Sequence, residues 1–174
     1  TSVGTIKKIK RVAKIIIDYK KKNYKVIVVS SAMSGVTNEL IKKSFEISDS
    51  FSESEHDVLV SSGEQVACSL IAGRLIHEGY KSRSWLSWQV PILTKGKYKN
   101  SRINKINKKD IIKYLKKGGT PIITGFQGLN DENRITTLGR GGSDASAIMI
   151  AKFFKAERCI IYTDVEGVYT TDPN

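Results

Sequence analysis

The sequence predicts an α/β protein in which a mostly parallel sheet is covered on both faces by helices. Short β-branched runs alternate with longer amphipathic stretches along the chain, and the runs are apolar at consecutive positions, as in strands buried on both faces. Small, polar, glycine-containing loops follow three of these runs. Because ligands of parallel sheets bind beyond the carboxyl ends of the strands, we expect the functional site at these loops.

Helices are predicted where apolar residues recur three or four positions apart. In the first helix, isoleucines and an alanine are separated by lysines. Another helix opens near Thr37, and Ser143 is predicted to cap the last one, with Asp144 in its first turn. Apart from the helix at Thr37, the predicted ranges are 5–21, 64–78, 110–117 and 143–155.

Strands are predicted at four short runs that favour extended backbone. Their ranges are 25–30, 82–86, 120–124 and 158–163. The last of these is expected to be buried. The segment 44–56 is rich in serine and acidic residues, and we expect it to be a flexible or exposed connection.

The composition is that of a soluble globular domain. The 174 residues suffice for one domain with a buried core, and no apolar run approaches the roughly 20 residues that span a bilayer. The two cysteines have no CxxC spacing, which indicates buried thiols in a reducing compartment. We therefore expect a cytoplasmic protein that does not bind membranes.

The formal net charge of +12 raises the question of nucleic-acid binding. The basic residues concentrate in 7–25 and 95–117, are mostly lysine, and alternate with isoleucine and asparagine. Nucleic-acid surfaces usually add arginine and stacking aromatic residues. We therefore expect solvated surfaces and no nucleic-acid partner, while a basic nucleic-acid-binding module is the alternative outside enzymes.

The strongest local motif is Leu138-Gly-Arg-Gly-Gly-Ser-Asp144. Its glycines let the backbone approach a ligand closely, and the amide groups at the start of the following helix favour an anion. Arg140 adds a planar fork that matches a carboxylate or a phosphate. The alternative is a tight strand-to-helix turn with an incidental arginine.

Three further segments carry candidate binding groups. Residues 30–37 are small and hydroxyl-rich, which suits a carboxylate or phosphates, although capping of a turn explains them equally well. Glu64 either stabilises a helix N-terminus or receives a ligand ammonium. Residues 163–173 combine acids, hydroxyls and an aromatic ring, as expected for a purine nucleotide with magnesium or for a plain surface loop.

Other chemistries find little support. The P-loop signature GxxxxGKS/T is missing from the sequence, so a P-loop kinase is not expected. His56 and His77 lack the spacing of metal ligands, and we predict no metal site built from protein side chains alone.

Taken in order, the motifs resemble those of the aspartokinases, which belong to the amino-acid kinase family. The resemblance covers essentially the whole chain, beginning at Thr1-Ser-Val-Gly4. Its most specific blocks are 138–144 and Thr163-Asp-Val-Glu-Gly-Val-Tyr-Thr-Thr-Asp-Pro173. The other matching segments are 31–38, 62–64, 85–89 and 125–128.

The resemblance implies the three-layer α/β/α sandwich of the amino-acid kinase fold. It also implies ATP-dependent phosphorylation of the side-chain carboxylate of L-aspartate to 4-phospho-L-aspartate, the first step towards lysine, threonine and methionine. Arg140 would bind the α-carboxylate of aspartate and Glu64 its ammonium, with Asp144 and Arg140 as catalytic residues. The other implied substrate-binding residues are Ser31, Thr37 and Ser143.

ATP and Mg²⁺ are the implied cofactors, with the ion bridging the phosphates, and a homo-oligomer is the expected assembly. The implied nucleotide-binding residues are Thr1, Ser2, Gly141, Gly142, Thr163, Asp164, Tyr169 and Asp172. We further expect residues 1–174 to be a kinase catalytic domain truncated at both ends. The family's lysine and first strand would precede Thr1, and regulatory domains would follow Asn174, so this fragment is expected to be weakly active or inactive.

Acetylglutamate, glutamate 5- and uridylate kinases share this fold and remain alternatives. The hydroxyls of Ser31 and Thr37 together with Glu64 favour a free amino acid that carries an ammonium group. They argue against uridylate and against an acylated amine.

Overall fold

The computed structural model describes residues 2–163, which form five helices and seven strands. The helices are α1 Ile6–Lys21, α2 Val36–Ile47, α3 Glu53–His77, α4 Lys109–Lys116 and α5 Gly142–Phe154. The strands are β1 Val28–Ser30, β2 Ser82–Trp85, β3 Ile92–Lys97, β4 Asn100–Ile106, β5 Thr120–Thr124, β6 Gln127–Leu129 and β7 Ile135–Thr137. Among these helices none is long and apolar enough to cross a membrane.

A parallel sheet of three strands forms the centre of the molecule, in the order β1-β5-β2. The central strand, β5, is buried along its whole length and pairs with β1 from Val28↔Ile122 to Ser30↔Thr124. Because all three strands run in the same direction, their carboxyl ends lie at one edge. This confirms the prediction of a parallel sheet with loops converging at that edge.

Helices cover both faces of this sheet, which gives the three layers of an α/β/α sandwich. Ile122 of β5 packs in a cluster with α1 and α3, whereas its neighbour Ile123 packs in a second cluster with α4 and α5. Successive side chains of a strand point to opposite faces, so the two adjacent isoleucines face the two layers. The predicted fold class is confirmed.

The predicted helix α1 is confirmed almost to the residue. Its buried face consists of Ile9, Ala13, Ile16 and Ile17, spaced three or four apart, while its lysines face solvent. The hydroxyl oxygen of Thr5 accepts a hydrogen bond from the amide of Lys8 and caps the helix.

A second sheet, not predicted from the sequence, has the order β4-β3-β6-β7. β3 and β4 form an antiparallel hairpin, and β3 also pairs in parallel with β6. Buried positions on the hairpin include Ile92, Thr94, Ile103 and Ile106, while lysines point outward. The sheet is therefore amphipathic, with one face in the core cluster of α4 and α5.

Helix α3 is much longer than predicted. It starts at Glu53 instead of near Glu64, so residues 48–52 alone connect it to α2. The predicted flexible connection over 44–56 is therefore wrong for most of its length. The acidic residues Glu53 and Glu55 lie in the first turn of α3, where negative charge stabilises the helix dipole.

The segment 158–163 does not form the buried strand predicted for it. Its apolar side chains Ile160, Ile161 and Tyr162 are all more than 40% exposed. No strand within residues 2–163 pairs with this segment. β-branched composition favours extended backbone, but a strand also needs a neighbour to accept and donate its hydrogen bonds.

Candidate active site

Two of the three loops singled out in the sequence, those after β1 and β5, lie at the carboxyl edge of the parallel sheet, and the third, after Thr163, lies outside the described residues. The amide of Gly125, just after β5, donates to the carbonyl of Ser30 at the end of β1 over 3.0 Å. A Cβ atom on Gly125 would lie 3.0 Å from that carbonyl oxygen and 3.2 Å from Cα of Ser143. Glycine is therefore needed where β1, β5 and the start of α5 meet.

Residues 138–144, called the glycine-rich loop below, lead from β7 into α5. Gly141 has a φ of 72° and occupies the N-cap position, where no side chain caps the helix within the described residues. Ser143 was predicted to be this cap and instead lies in the first turn. Because glycine has no side chain to cap the helix, the amides of Ser143 and Asp144 are left for another acceptor, whereas the amide of Gly142 donates to the carbonyl of Gly139 over 3.0 Å.

The two charged residues of this loop are accessible. Arg140 and Asp144 are both exposed, and Asp144 lies in the first turn of α5. Gly142 is buried, and a Cβ atom there would lie 2.7 Å from the ring of Phe126, so this part of the loop packs closely against the segment after β5. The loop is therefore packed against the protein at Gly142 and exposes the charged side chains of Arg140 and Asp144.

Residues 31–35, called the Ser31 loop below, connect β1 to α2 in a similar way. Gly35 has a φ of 80° and forms the N-cap of α2, again without a side-chain cap within the described chain. Ser31 and Thr37 are half-buried, on either side of this glycine. Helices α2 and α5 therefore both begin at a glycine in the left-handed conformation. Gly35 follows the carboxyl edge of the sheet, and Gly141 lies close to it.

Glu64 lies in the middle of α3 and joins this helix to the Ser31 loop. Its Oε1 accepts a hydrogen bond from the backbone amide of Ala32 over 3.1 Å. The helix comes close because the preceding residue is glycine: a Cβ atom on Gly63 would lie 2.8 Å from Cβ of Ala32. Of the two predicted roles for Glu64, helix N-terminal stabilisation is excluded by its position within α3.

The second carboxylate oxygen of Glu64, Oε2, is buried and has no hydrogen-bond partner within the described residues. Burial raises the pKa of this carboxyl from its ordinary 4.5 to about 7, and the amide hydrogen bonds offset only part of that shift. Cys68, one helical turn further on, has its thiol pKa raised by burial and by the charge of Glu64. A carboxylate that lacks a partner in a desolvated place is suited to a cationic ligand group.

Two of the residues implied as nucleotide-binding lie in neighbouring segments. The hydroxyl of Ser2 donates to the carbonyl of Tyr162 over 2.7 Å, which places it beside the segment that ends at Thr163. A hydrogen bond with Tyr19 raises the pKa of Tyr162 to about 12. Gly141 and Gly142 lie at the start of α5, and the other four implied residues lie outside the described residues: Thr1, Asp164, Tyr169 and Asp172.

Two buried polar residues near the loops were missed in the sequence. The hydroxyl of Ser146 accepts from the amide of Phe126 over 2.9 Å and donates to the carbonyl of Gly142 over 2.8 Å. Asp57, in α3, accepts hydrogen bonds from β7 and from the β3–β4 turn. In the sequence, each could be recognised only as a polar residue at a helical position where the pattern of buried residues calls for an apolar one.

Comparison with known proteins identifies the family. The sequence profile of the amino acid kinase family matches residues 1–174. The chain is 50% identical to an aspartokinase of Rickettsia felis and 45% identical to aspartokinase 2 of Bacillus subtilis, in each case over 99% of its length. It spans only 44% and 42% of those two relatives.

Solved structures show the same fold. The aspartate kinase of Synechocystis superposes with a TM-score of 0.82 at 38% identity, covering 99% of this chain and 28% of that one. Aspartokinase III of Escherichia coli, in complex with aspartate and ADP, superposes with a TM-score of 0.83 at 25% identity, covering 99% and 49%. By its sequence over all 174 residues and by its fold, the chain belongs to the amino acid kinase family.

Proposed function

We propose that the complete protein is an aspartate kinase, which transfers the γ-phosphoryl group of ATP to the side-chain carboxylate of L-aspartate. The observation that carries this proposal is Glu64, whose Oε2 is buried beside the Ser31 loop and has no hydrogen-bond partner among residues 2–163. A free amino acid supplies the ammonium that such an oxygen requires. The relatives named aspartokinase support the choice of amino acid.

The substrate groups would divide between the two loops and α3. The ammonium of aspartate binds Glu64, and its α-carboxylate pairs with the exposed guanidinium of Arg140, whose planar fork fits two oxygens. The hydroxyls of Ser31, Thr37 and Ser143 complete the polar contacts of the amino acid. This division requires a free amine, so it favours aspartate over acetylglutamate.

The nucleotide would bind at the start of α5. The amide groups of Ser143 and Asp144 in the first turn and the open space around Gly141 fit a phosphate, because helix N-termini attract anions. Gly142, Ser2 and Thr163 belong to the same proposed site, as do Thr1, Asp164, Tyr169 and Asp172 outside the described residues. Mg²⁺, when bound, would neutralise the phosphates that it bridges.

The chemistry requires alignment more than proton transfer. A carboxylate is already ionised at neutral pH, so the attacking oxygen of aspartate needs no general base. The difficulty is that two anions must approach each other, and the chain therefore has to hold both and offset their charge in advance. Arg140 and the first amides of α5 supply positive charge there, and Asp144 is proposed to organise the transfer.

The test is ATP-dependent formation of aspartyl hydroxamate, in which hydroxylamine traps the acyl phosphate. The protein is assayed in its natural length, with glutamate and N-acetylglutamate as comparison substrates. We expect a signal with aspartate only. Equal signals with glutamate would contradict the choice of aspartate, and a signal only with the acetylated substrate would contradict the assignment of Glu64 to an ammonium.

Two substitutions test the roles of the glycine-rich loop. Arg140→Ala is expected to weaken aspartate binding by roughly 2–5 kcal/mol if the carboxylate pair is desolvated, with ADP affinity nearly unchanged. Asp144→Ala is expected to lower kcat far more than nucleotide binding. Isothermal titration and steady-state kinetics separate these effects, and unchanged aspartate affinity in the first variant removes Arg140 from the site.

We also propose that residues 1–174 belong to the catalytic domain of a cytoplasmic homo-oligomer. Light scattering of the natural-length protein tests the assembly.

The basic residues of 7–25 and 95–117 are expected to bind duplex DNA only weakly, and modest salt is expected to remove this binding. Tight binding with a steep salt dependence would instead support the nucleic-acid alternative.

A further inference from the structure

Asp57 is a charged residue in the interior of the molecule, and the proposed chemistry does not use it. Its side chain is fully buried in the second turn of α3. Its two oxygens accept hydrogen bonds from the amide and the hydroxyl of Thr137 (both 2.8 Å) and from the amide of Lys99 (3.0 and 3.2 Å). A buried carboxylate saturated in this way is held in one geometry.

Both partners of Asp57 lead to the glycine-rich loop. Thr137 ends β7, and the loop begins at the next residue. Lys99 lies in the turn between β3 and β4, which touches the loop from the other side: a Cβ atom on Gly139 would lie 3.1 Å from the carbonyl oxygen of Lys99. A single carboxylate therefore joins the strand that enters the loop and the turn against which the loop rests.

Other charged groups around Asp57 do not replace these contacts. Nδ1 of the neighbouring His56 lies 3.6 Å from Oδ1, beyond hydrogen-bond distance. The ammonium of Lys99 pairs instead with Glu53, at 3.8 Å. Because the side chain of Asp57 is buried and its oxygens already have partners, a substrate cannot reach it.

We propose that Asp57 is a positioning residue that fixes the entry of the glycine-rich loop, and through it Arg140 and Asp144, relative to helix α3. This inference rests on the proposed function of that loop. Helix α3 also carries Glu64, two turns further along, so the helix sets the distance between the proposed ammonium site and the loop that would bind the carboxylate. Misplacement of reacting groups by about 1 Å can cost on the order of 10²-fold in rate.

The decisive variant is Asp57→Asn, which keeps the shape of the side chain but sets an amide against one of the donors. We expect kcat/KM for aspartate to fall on the order of 10²-fold, with the thermal unfolding curve and the circular dichroism spectrum still those of a folded protein. The matched control is Glu55→Gln in the first turn of the same helix, whose exposed pair with Arg134 lies away from the loop. It is expected to leave kcat/KM unchanged.

A milder pair of variants covers the case in which Asp57→Asn does not fold. Thr137→Val removes one donor to Asp57 and keeps the branched shape, whereas Thr137→Ser keeps the hydroxyl. We expect a loss of kcat/KM in the valine variant and recovery in the serine variant. Equal kinetics in both would overturn the proposal.

A double-mutant cycle distinguishes positioning from general destabilisation. If Asp57 acts through the loop that carries Arg140, Asp57→Asn has much less effect when Arg140 is already alanine. If the two losses multiply, Asp57 acts elsewhere and the proposal fails. Normal kinetics of a folded Asp57→Asn variant would have the same consequence and would leave the proposed function intact.

Hydrogen exchange gives a reading that does not depend on aspartate kinase activity. In Asp57→Asn, the amides of residues 138–144 are expected to exchange faster, while those of the Ser31 loop are unchanged. Unchanged exchange in 138–144 contradicts the positioning role even if the protein phosphorylates another acceptor. An inactive wild-type protein whose loop loosens in the variant contradicts the proposed function alone.

Discussion

Asp57 and Glu64 are both buried carboxylates on helix α3, two turns apart, yet their surroundings differ. Asp57 accepts hydrogen bonds from Thr137 and Lys99 through both of its oxygens. Glu64 accepts one from Ala32 through Oε1 and leaves Oε2 buried without a partner in the described chain. The first carboxylate is satisfied by hydrogen bonds of the fold, whereas the second has one oxygen that the proposed function assigns to a ligand ammonium.

The largest expected effect is on stability at Asp57. Asp57→Ala leaves the buried donors of Thr137 and Lys99 without an acceptor, and each such donor costs about 1–3 kcal/mol. We expect the free energy of unfolding to fall by roughly 3–5 kcal/mol. Urea titration measures this, with Glu55→Ala as the control, for which the loss of an exposed ion pair costs at most about 1 kcal/mol.

Glu64 is expected to make the stability of the protein depend on pH. Its pKa is raised to about 7 in the folded protein, so the folded state binds a proton more tightly than the unfolded chain does. This group therefore favours folding below about pH 4.5, and that contribution is lost as pH rises to about 7. Glu64→Gln imitates the protonated form and keeps an oxygen for Ala32.

Relative to wild type, the Glu64→Gln variant is expected to gain stability between pH 4.5 and 7, up to about 3 kcal/mol, and to match it below pH 4.5. Urea titrations at several pH values measure the difference. A variant that is less stable than wild type at pH 8 would show that the charged carboxylate has a partner after all. Glu64 would then resemble Asp57, whose two oxygens both have hydrogen-bond partners in the fold.

The sequence predicted the parts of the fold that depend on local spacing. The apolar positions of α1 and the continuous apolar run of β5 are readable because a helix face or a doubly buried strand imposes a simple period. The β3–β4 hairpin was missed because lysines and asparagines on its solvent face interrupt the apolar pattern. The strand predicted over 158–163 shows the converse: composition favoured a strand that lacks a neighbour within the described residues.

The sequence suggested the residues of the candidate site, whose roles stay predictions, but not how the fold arranges them. The glycines of 138–144 predicted a backbone that other groups can approach closely, while the left-handed conformations of Gly35 and Gly141 appear only in the structure. The contacts of Glu64 with Ala32 and of Asp57 with Thr137 span 32 and 80 residues of sequence. No periodicity in the chain encodes such pairs, so the separate tasks of the two carboxylates emerge only in the folded protein.

A smaller effect is expected on aspartate binding, and it distinguishes a ligand-binding role of Glu64 from a structural one. With the charged partner of the ammonium removed, Glu64→Gln is expected to weaken aspartate binding by roughly 1.5–3 kcal/mol. Binding of succinate, which lacks the amine, is expected to change little. Isothermal titration at pH 8 measures both ligands, and equal losses for the two would place Glu64 among residues that only shape the loop.

The pH dependence of binding gives an independent check on the same group. An ammonium binds the ionised carboxylate, so aspartate affinity is expected to rise as pH increases towards about 7 and to level off above it. Succinate binding lacks this contribution from Glu64. In the Glu64→Gln variant the rise that belongs to this residue disappears, which titrations between pH 6 and pH 8 can measure.

The smallest expected effect comes from two glycines of the same helix. A methyl group on Gly63 would meet Cβ of Ala32 at 2.8 Å, whereas one on Gly73 has nothing within 4 Å. Gly63→Ala is therefore expected to cost roughly 1–3 kcal/mol by overpacking, partly offset by better helix propensity, and to lower aspartate affinity by moving Ala32 away from Glu64. Gly73→Ala is expected to raise the free energy of unfolding by about 0.5–1 kcal/mol and to leave aspartate affinity unchanged. If both variants bound aspartate as wild type does, the close contact between α3 and the Ser31 loop would not determine aspartate affinity.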